Sequence, residues 1–302
     1  AYNEEKFVGG VIDTMPEFVD RIIIVDDAST DSTCKVVKSH TDSRMVLIKH
    51  ENNQGVGAAI VTGYKKVFAD SIDIAVVMAG DGQMSPDEMT KLLDPIVEKK
   101  TDYVKGNRLL AKDIIKKFPM LRLVGNAILT ILTKISSGYW HIMDPQNGYT
   151  AVSRSVLERL DLESIYPGYG YCNDILVKLN VYNFRVMDVP TTPIYGNEKS
   201  GIRMLKYSIT LSTLLLTRFF WRLWEKYVVL NFHPLILFYF MGMILSFLGM
   251  LIGLDILYHR IIIGAIAATS VVLCSLLLIT GFQFLLFAML FDMQYNESLR
   301  GG

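Results

Sequence analysis

The sequence predicts an α/β domain built on a mostly parallel, helix-covered sheet, followed by an interfacial helix and a two-helix transmembrane hairpin. Three observations carry that reading. Short apolar strand patterns alternate with helical patterns over the first two thirds of the chain. Two long runs without Lys, Arg, Asp or Glu stand near its C-terminal end. The composition is split in the same way: 51% of the 302 residues are hydrophobic and the mean hydropathy is +0.32, yet thirty basic side chains face thirty acidic ones. That many charges do not fit a bundle of membrane helices, so a water-exposed part and a membrane part share the chain, in line with a length prior of about two domains. Zero net charge argues against nucleic acid as the main partner, since a phosphate-backbone binder needs a basic face. Cys34, Cys172 and Cys274 are odd in number and far apart, which excludes a disulfide framework and a cysteine-rich metal site.

Taken in order, a helix follows from about Glu5. Arg21–Val25 is a short apolar strand ending in Asp26-Asp27, and Ser29–Thr33 supplies cap residues for the next helix. Met45–Ile48 is a second strand and Gly57–Phe68 a helix. Ile72–Met78 is a third strand, ending in Ala79-Gly-Asp-Gly-Gln83. Ser85-Pro-Asp-Glu88 reads as a capping box with Pro at the first helical position, opening a helix to about Lys99. Asp102–Lys105 is a fourth strand. Such alternation gives parallel strands under helices. The chain opens Ala1-Tyr-Asn-Glu-Glu5 with no strand before it, so the first strand of the sheet is expected upstream.

Phe232–Leu254 and Ile261–Phe291 are uncharged runs of 23 and 31 residues, each longer than the roughly 20 residues that cross the hydrocarbon core. Asp255–Arg260 is too short for a domain and reads as the connector of a hairpin. Lys199, Arg203, Lys206, Arg218, Arg222 and Lys226 precede the spans against the single acid Glu225, while the connector holds only Arg260. The positive-inside rule then puts the N-terminal domain, and with two spans the C-terminus, in the cytoplasm. Between them, Met204–Tyr227 reads as an interfacial helix: Leu211, Leu214, Leu215 and Phe219 recur at helical spacing, Arg218, Arg222 and Lys226 form a basic stripe, and Trp221, Trp224 and Tyr227 are belt residues. The expected divisions are 1–203 for the α/β domain, 204–230 for the interfacial helix and 231–302 for the hairpin with a short tail. The sheet reads as complete before Tyr227.

Ligands of open α/β sheets bind beyond the carboxyl ends of the strands. Three clusters fall there: Tyr2-Asn3-Glu4, Asp26-Asp27 and Asp81-Gly-Gln83. Carboxylates accept hydrogen bonds from a base or ribose and hold a divalent cation that neutralises a diphosphate; Mg²⁺ and Mn²⁺ take one or two carboxylates plus substrate phosphates. No P-loop and no Gly-x-Gly-x-x-Gly after a strand is present. Taken singly, Asp26-Asp27 also suits a plain helix entry and Asp81-Gly82 a plain turn. The five histidines lack metal spacing.

The motifs Ala-Tyr-Asn-Glu at 1–4, Val-Asp-Asp-Ala-Ser-Thr-Asp at 25–31, Asn-Gln-Gly-Val-Gly at 53–57 and Gly-Asp-Gly-Gln at 80–83 resemble glycosyltransferase family 2, a GT-A (Rossmann-like) fold. Gly106-Asn-Arg108, Leu121–Asn126 and Asp144-Pro-Gln-Asn-Gly-Tyr149 narrow the resemblance to its polyprenyl-phosphate branch, the dolichyl-phosphate mannose synthase type. The resemblance implies nucleotide contacts at Tyr2, Asn3, Glu4, Asp26 and Asp27. It implies a divalent cation, Mg²⁺ or Mn²⁺, at Asp81 and Gln83, with Ala79 standing where the family's first metal-binding aspartate falls. It implies phosphate contacts at Arg108 and Arg122, a site aspartate at Asp144, and a basic segment near donor phosphate at Lys199 and Arg203. Arg122 also suits an ordinary helix surface, and Asp144 before Pro145 a turn.

The implied activity is transfer of one sugar from a UDP- or GDP-linked donor to a polyprenyl phosphate at the cytoplasmic leaflet, inverting and metal-assisted. No Gln-x-x-Arg-Trp motif is present, and two spans are too few for a polysaccharide channel, so one sugar per acceptor is expected. The implied partners are the nucleotide-sugar donor, the lipid acceptor and the membrane, with no nucleic acid; a homo-oligomer stays open. Two other classes stay open: a membrane-anchored nucleotidyltransferase and a non-catalytic accessory protein.

Overall fold

The computed structural model describes residues 1–110, 120–194, 204–264 and 267–302, with the backbone alone for 120–124 and 204–206. The described residues form two units, Ala1–Phe220 with Ser298–Gly302, and Trp221–Glu297.

The first unit holds six strands: β1 Ile22–Asp26, β2 Met45–Lys49, β3 Ile74–Val77, β4 Tyr103–Asn107, β5 Thr150–Ser153 and β6 Val186–Pro190. Its helices are α1 Val8–Asp13, α2 Thr33–Ser39, α3 Val56–Ala69, α4 Met89–Val97, α5 Met120–Ser137, α6 Arg154–Arg159, α7 Tyr171–Val181 and most of α8 Met204–Trp224. The β-branched runs of β1 and β2 pair in parallel, Ile22 beside Met45 through Asp26 beside Lys49. The other four strands form one sheet in the order β3-β5-β4-β6. There β5 runs antiparallel to both β3 and β4, while β4 and β6 are parallel. The sheet is therefore mixed rather than mostly parallel. The reversal comes from β5, a four-residue strand whose Thr-Ala-Val-Ser carries too little pattern to be read beforehand.

The main core joins Val61, Tyr64, Tyr103, Val152, Leu176 and Val186 from the sheet and its covering helices. Helix α7 is buried on every side, so its pattern is not amphipathic. Two further expectations shift. The segment Pro86–Glu88 is a 3₁₀ turn rather than the first turn of α4, and the Ser85 side chain makes no capping bond. Glu88 instead accepts from the Thr192 amide at 2.7 Å, and its other oxygen pairs with Lys91. The chain end also belongs to this unit: Leu299 joins the core, and Gly301 N–H donates to Val186 O at 3.0 Å beside a bridge from Arg300 to Val186.

Helix α8 opens against α5, with Leu211 and Leu215 buried on Leu129 and Ser136 Oγ donating to Leu215 O at 2.9 Å. Ile209, Leu216 and Phe220 on its other faces are exposed. The expected basic stripe is not exposed. Arg218 pairs with buried Asp174 at 2.5 Å, and Arg222 and Lys226 are buried in the second unit. A charged side chain without water needs a partner, and here each has one.

In the second unit α8 ends in π geometry over Glu225–Leu230, followed by α9 Leu235–Ile262 and α10 Ala268–Asn296. Both long helices are apolar enough to cross a membrane, with mean hydropathy 2.4, and most of each stays exposed, unlike the core helices of a soluble protein. Asp255–Arg260, expected as the connector, is helical: it is the last part of α9, with His259 Nδ1 bonded to Asp255 O at 3.0 Å and Arg260 reaching Gly264 O. The polar residues sit at a helix end rather than in a loop. Gly242, Ser246 and Gly249 face α10 closely; a Cβ on Gly281 would lie 2.6 Å from the Ser246 nitrogen. Small residues at this spacing let helix backbones approach.

Candidate active site

At the carboxyl end of β1 the two aspartates are both buried but do different work. Asp27 Oδ1 accepts from His50 Nδ1 at 2.7 Å and from the Gln54 amide at 2.9 Å; Oδ2 accepts from the Gly55 amide at 2.8 Å. His50 Nε2 meets Thr62 Oγ1 at 2.9 Å. Burial pushes the Asp27 carboxyl up, but the bonds from Gln54, His50 and Gly55 outweigh it and hold the group below the usual carboxylate range. Asp27 thus shapes the 50–55 loop and the entry to α3. Gly55 there has φ +96, a left-handed conformation that costs an L side chain strain. Asp26 is the aspartate with capacity left. Its Oδ2 accepts from the Cys34 thiol at 3.0 Å, while its Oδ1 has no partner although the residue is fully buried. A buried acceptor left unmade is costly, and an N–H or O–H donor of a ligand would satisfy it.

The first residues are zipped onto the loop after β1. Asp27 N–H donates to Ala1 O at 2.9 Å. Asn3 Oδ1 accepts from the Thr30 amide at 2.9 Å, Asn3 N–H donates to Ser29 Oγ at 2.9 Å, and Glu5 Oε2 accepts from the Ser32 amide at 2.9 Å. Asn3 is therefore spent on the loop, whereas Tyr2 is exposed. The Glu4 side chain passes close to Gly80: a Cβ there would lie 3.7 Å from Glu4 Cγ.

After β3, Asp81 Oδ1 accepts from the Gln83 amide at 3.0 Å. Among the described residues no three His, Cys, Asp or Glu side chains converge as a metal cluster. One carboxylate and one carboxamide in a single turn offer oxygen ligands only. Such a set fits a hard divalent cation that takes its remaining ligands from substrate phosphates.

Gln83 O accepts from the Ile194 amide at 2.9 Å, and Gln83 lines a pocket with Arg108, Asn147, Tyr149, Thr191 and Thr192. Arg108, just past β4, holds Asp144 as a fork: Nε to Oδ2 at 2.8 Å and Nη2 to Oδ1 at 2.9 Å. So Gln83 and Arg108 share one pocket wall, with Asp81 and Asp144 bonded to them, while Ala1, bonded to Asp27, lies with Glu4 against Gly80. Arg122 lies in the first turn of α5, its side chain outside the described residues; Lys199 and Arg203 also lie outside them.

Sequence reading missed four polar residues here. His50 orders the 50–55 loop. Lys105, wholly buried, donates to Asn147 O at 2.7 Å. Asn147 Nδ2 donates to Gly106 O at 2.7 Å. Asn107, also wholly buried, donates to Asp188 at 2.8 Å. The Gly106–Arg108 and Asp144–Tyr149 motifs contained Asn107 and Asn147 without giving either a role; nothing local pointed to His50 or Lys105.

The strand-end carboxylates, with an arginine beside them, stand on a mixed sheet under helices, and the family match makes this a glycosyltransferase domain. The chain belongs to glycosyl transferase family 2, whose family description matches residues 1–161. It is 34% identical over 210 residues to the UDP-N-acetylglucosamine–dolichyl-phosphate N-acetylglucosaminyltransferase of Methanococcus voltae, spanning 65% of this chain and 83% of that relative. It is 30% identical over 200 residues to the polyprenol monophosphomannose synthase of Mycolicibacterium smegmatis, over 63% and 74% of the two chains. The fold is shared with glucosyl-3-phosphoglycerate synthase from Mycobacterium tuberculosis, solved with Mn²⁺, UDP and glucosyl-3-phosphoglycerate: TM-score 0.55, 20% identity, 74% of this chain and 77% of that one.

Proposed function

We propose that the protein transfers one sugar from a nucleoside-diphosphate sugar to a polyprenyl phosphate at a membrane surface, and that UDP-N-acetylglucosamine is the donor to test first. The observation that carries the reading is the pocket wall joining Gln83, the neighbour of Asp81, to the Arg108–Asp144 pair. In this reading the donor diphosphate lies at Asp81 and Gln83, with the Arg108 guanidinium on the same wall. The 34% identity to a dolichyl-phosphate transferase supports the acceptor and the donor.

In this reading Asp26, through its unpartnered Oδ1, and Tyr2 and Glu4 receive the nucleoside, and Asp27 acts on it only by ordering the 50–55 loop. Asp81 and Gln83 would hold a divalent cation, which supplies charge neutralisation to the donor diphosphate when bound. The acceptor phosphate has its second pKa near about 6 and needs no strong base. Its oxygen attacks the sugar C1 as the bond from C1 to the diphosphate oxygen breaks, and the nucleoside diphosphate leaves with the electron pair. A single in-line displacement inverts the anomeric centre. Arg108 offers its guanidinium to the growing negative charge, and Asp144 fixes its direction. Arg122 on α5 and the segment with Lys199 and Arg203 are assigned to the acceptor and donor phosphates.

Membrane attachment is supported by α9 and α10 and by the exposed Ile209, Leu216 and Phe220 of α8. With Arg218, Arg222 and Lys226 paired inside the protein, attachment rests on apolar burial rather than on a basic stripe. The tail at Arg300–Gly301, bonded to β6, supports a hairpin that returns the chain to the side of the catalytic domain. The excess of basic residues before α9 supports the cytoplasm as that side. The test is incubation of the full chain in membranes with labelled nucleotide-sugars and a short polyprenyl phosphate, reading lipid-extractable label. Release of pyrophosphate would instead favour a nucleotidyltransferase.

A further inference from the structure

Arg108 and Asp144 lie 36 positions apart in the chain, on segments also joined by Asn147 Nδ2 to Gly106 O and by the Gly106 amide to Tyr149 O. A further bonding centre is Asp188 on β6, opposite Lys105 in the parallel register of β4 and β6. Asp188 Oδ2 accepts from Asn107 Nδ2 at 2.8 Å and from the Met143 amide at 2.7 Å. Asn107 and Met143 are the residues immediately before Arg108 and Asp144. One Asp188 oxygen therefore adds a tie, at the residues next to the pair, between the two segments that present it. Asn107 extends the effect: its Oδ1 accepts from the Leu109 amide at 2.9 Å and shapes the turn on the other side of Arg108. The second oxygen of Asp188 has no partner.

We propose that Asp188 is a positioning residue for the transfer reaction, holding Arg108 and Asp144 in register by way of Asn107 and the Met143 amide. The inference rests on the reading that Arg108 acts in sugar transfer. It goes beyond that reading by giving a job to a strand residue outside every motif. It also makes a distinction between charge and placement. Because one oxygen takes both bonds, an asparagine can present its carbonyl oxygen to Asn107 and Met143 and turn its NH₂ to the unpartnered side. The alanine variant loses the acceptor altogether.

The experiment measures kcat, the KM of both substrates and the melting temperature in detergent for wild type, Asp188→Ala, Asp188→Asn, Arg108→Ala and the Arg108→Ala/Asp188→Ala double variant. Misplacing a catalytic group by about 1 Å can cost up to about 100-fold. Asp188→Ala is expected to lower kcat by about 10- to 100-fold. Donor KM and nucleoside-diphosphate affinity should stay within about twofold. Asp188→Asn should stay within about threefold of wild type, and in the Arg108→Ala background the alanine should cost little more, since positioning a missing group has no effect. Equal losses in Asp188→Ala and Asp188→Asn, full additivity with Arg108→Ala, or a wild-type kcat in Asp188→Ala would each overturn the proposal. If Asp188→Ala does not fold, Asn107→Ala removes the same bond from the other side, and an unchanged kcat there overturns it equally. A wild-type chain that forms no lipid-linked sugar contradicts the functional reading instead. Activity that ignores Asp188 contradicts only this inference.

Discussion

Arg222 and Asp292 form a two-pronged ion pair with neither side chain exposed, Nη1 to Oδ1 at 2.9 Å and Nη2 to Oδ2 at 3.0 Å. Tyr227 Oη donates to Asp292 Oδ1 at 2.5 Å, Asn296 Nδ2 donates to Tyr227 Oη at 2.9 Å, and Lys226 Nζ donates to Asn296 Oδ1 at 2.7 Å. The pair binds the last turn of α8 to the last turns of α10. Removing one partner of a buried pair costs about 3–5 kcal/mol, whereas replacing both by apolar residues is often neutral. Arg222→Ala or Asp292→Ala should therefore lower the melting temperature of the detergent-solubilised protein sharply. Arg222→Met with Asp292→Leu should recover most of it, and equal melting of both sets would show the pair to be idle.

The same burial changes what charge reversal does at a membrane. Replacing Arg218, Arg222 and Lys226 by Glu should unfold the protein rather than tune its vesicle affinity, because Asp174 and Asp292 would face new carboxylates. Trading exposed Ile209, Leu216 and Phe220 for Ser should weaken vesicle binding with little dependence on salt, since burial of apolar surface is not screened as surface charge is. A steep salt dependence in the wild type would point back to electrostatic attachment.

Truncation after Tyr227 removes Leu299 from the core, the bond from Gly301 to Val186, and Asp292 and Asn296. The sequence suggested an independent domain at that cut. The structure predicts a destabilised one, checked by comparing urea midpoints of the truncated and full chains. A midpoint equal to that of the full chain would show the tail to be dispensable.

Asp27 gives a pH prediction. Its carboxyl is held below the ordinary value, so its contribution to stability is full above the unfolded carboxylate range near about 4 and is lost as pH falls through the folded value. Asp27→Asn should destabilise at neutral pH, and the gap between variant and wild type should close on acidification below about 4. A gap that stays constant with pH would assign the effect to shape rather than charge. Nucleotide affinity should fall with it, as the 50–55 loop loses its anchor.

Much of the α/β half was legible. Strands β1 to β4 fall within two residues or so of their apolar runs, because each run is bounded by polar residues at the strand's carboxyl end. Strands β5 and β6 were not, because Thr-Ala-Val-Ser and Val-Met-Asp-Val-Pro carry neither an apolar run nor a clear alternation. The site was legible where it is local: Asp26-Asp27, Asp81–Gln83 and Asp144–Tyr149 are contiguous in sequence. It was illegible where register makes it. Asp188 meets Asn107 across 81 positions, and His50 meets Asp27 across 23. Asp292 escaped for another reason: it directly follows an uncharged run, and its partner Arg222 read as part of a basic stripe facing the membrane surface. Gly242, Ser246 and Gly249 in α9, which mark the contact with α10, also went unread, because length and charge alone defined the spans.

The metal assignment predicts that Asp81→Asn removes most activity at any divalent cation concentration, since one carboxylate carries the site. Ala79→Asp should be tolerated or should tighten Mn²⁺ binding. Near-normal turnover in Asp81→Asn would refute the assignment.

The central claim is transfer of a sugar, without phosphate, onto a lipid phosphate, and the most direct measurement is the stoichiometry of products. Full-length protein in nanodiscs receives UDP-N-acetylglucosamine labelled in the sugar, with other nucleotide-sugars as parallel arms, and a short polyprenyl phosphate. The account predicts one nucleoside diphosphate released per lipid-linked sugar with one donor, dependent on acceptor and lost in Arg108→Ala. Release of nucleoside monophosphate or pyrophosphate in place of the diphosphate, or no lipid-linked label with any donor, would contradict it.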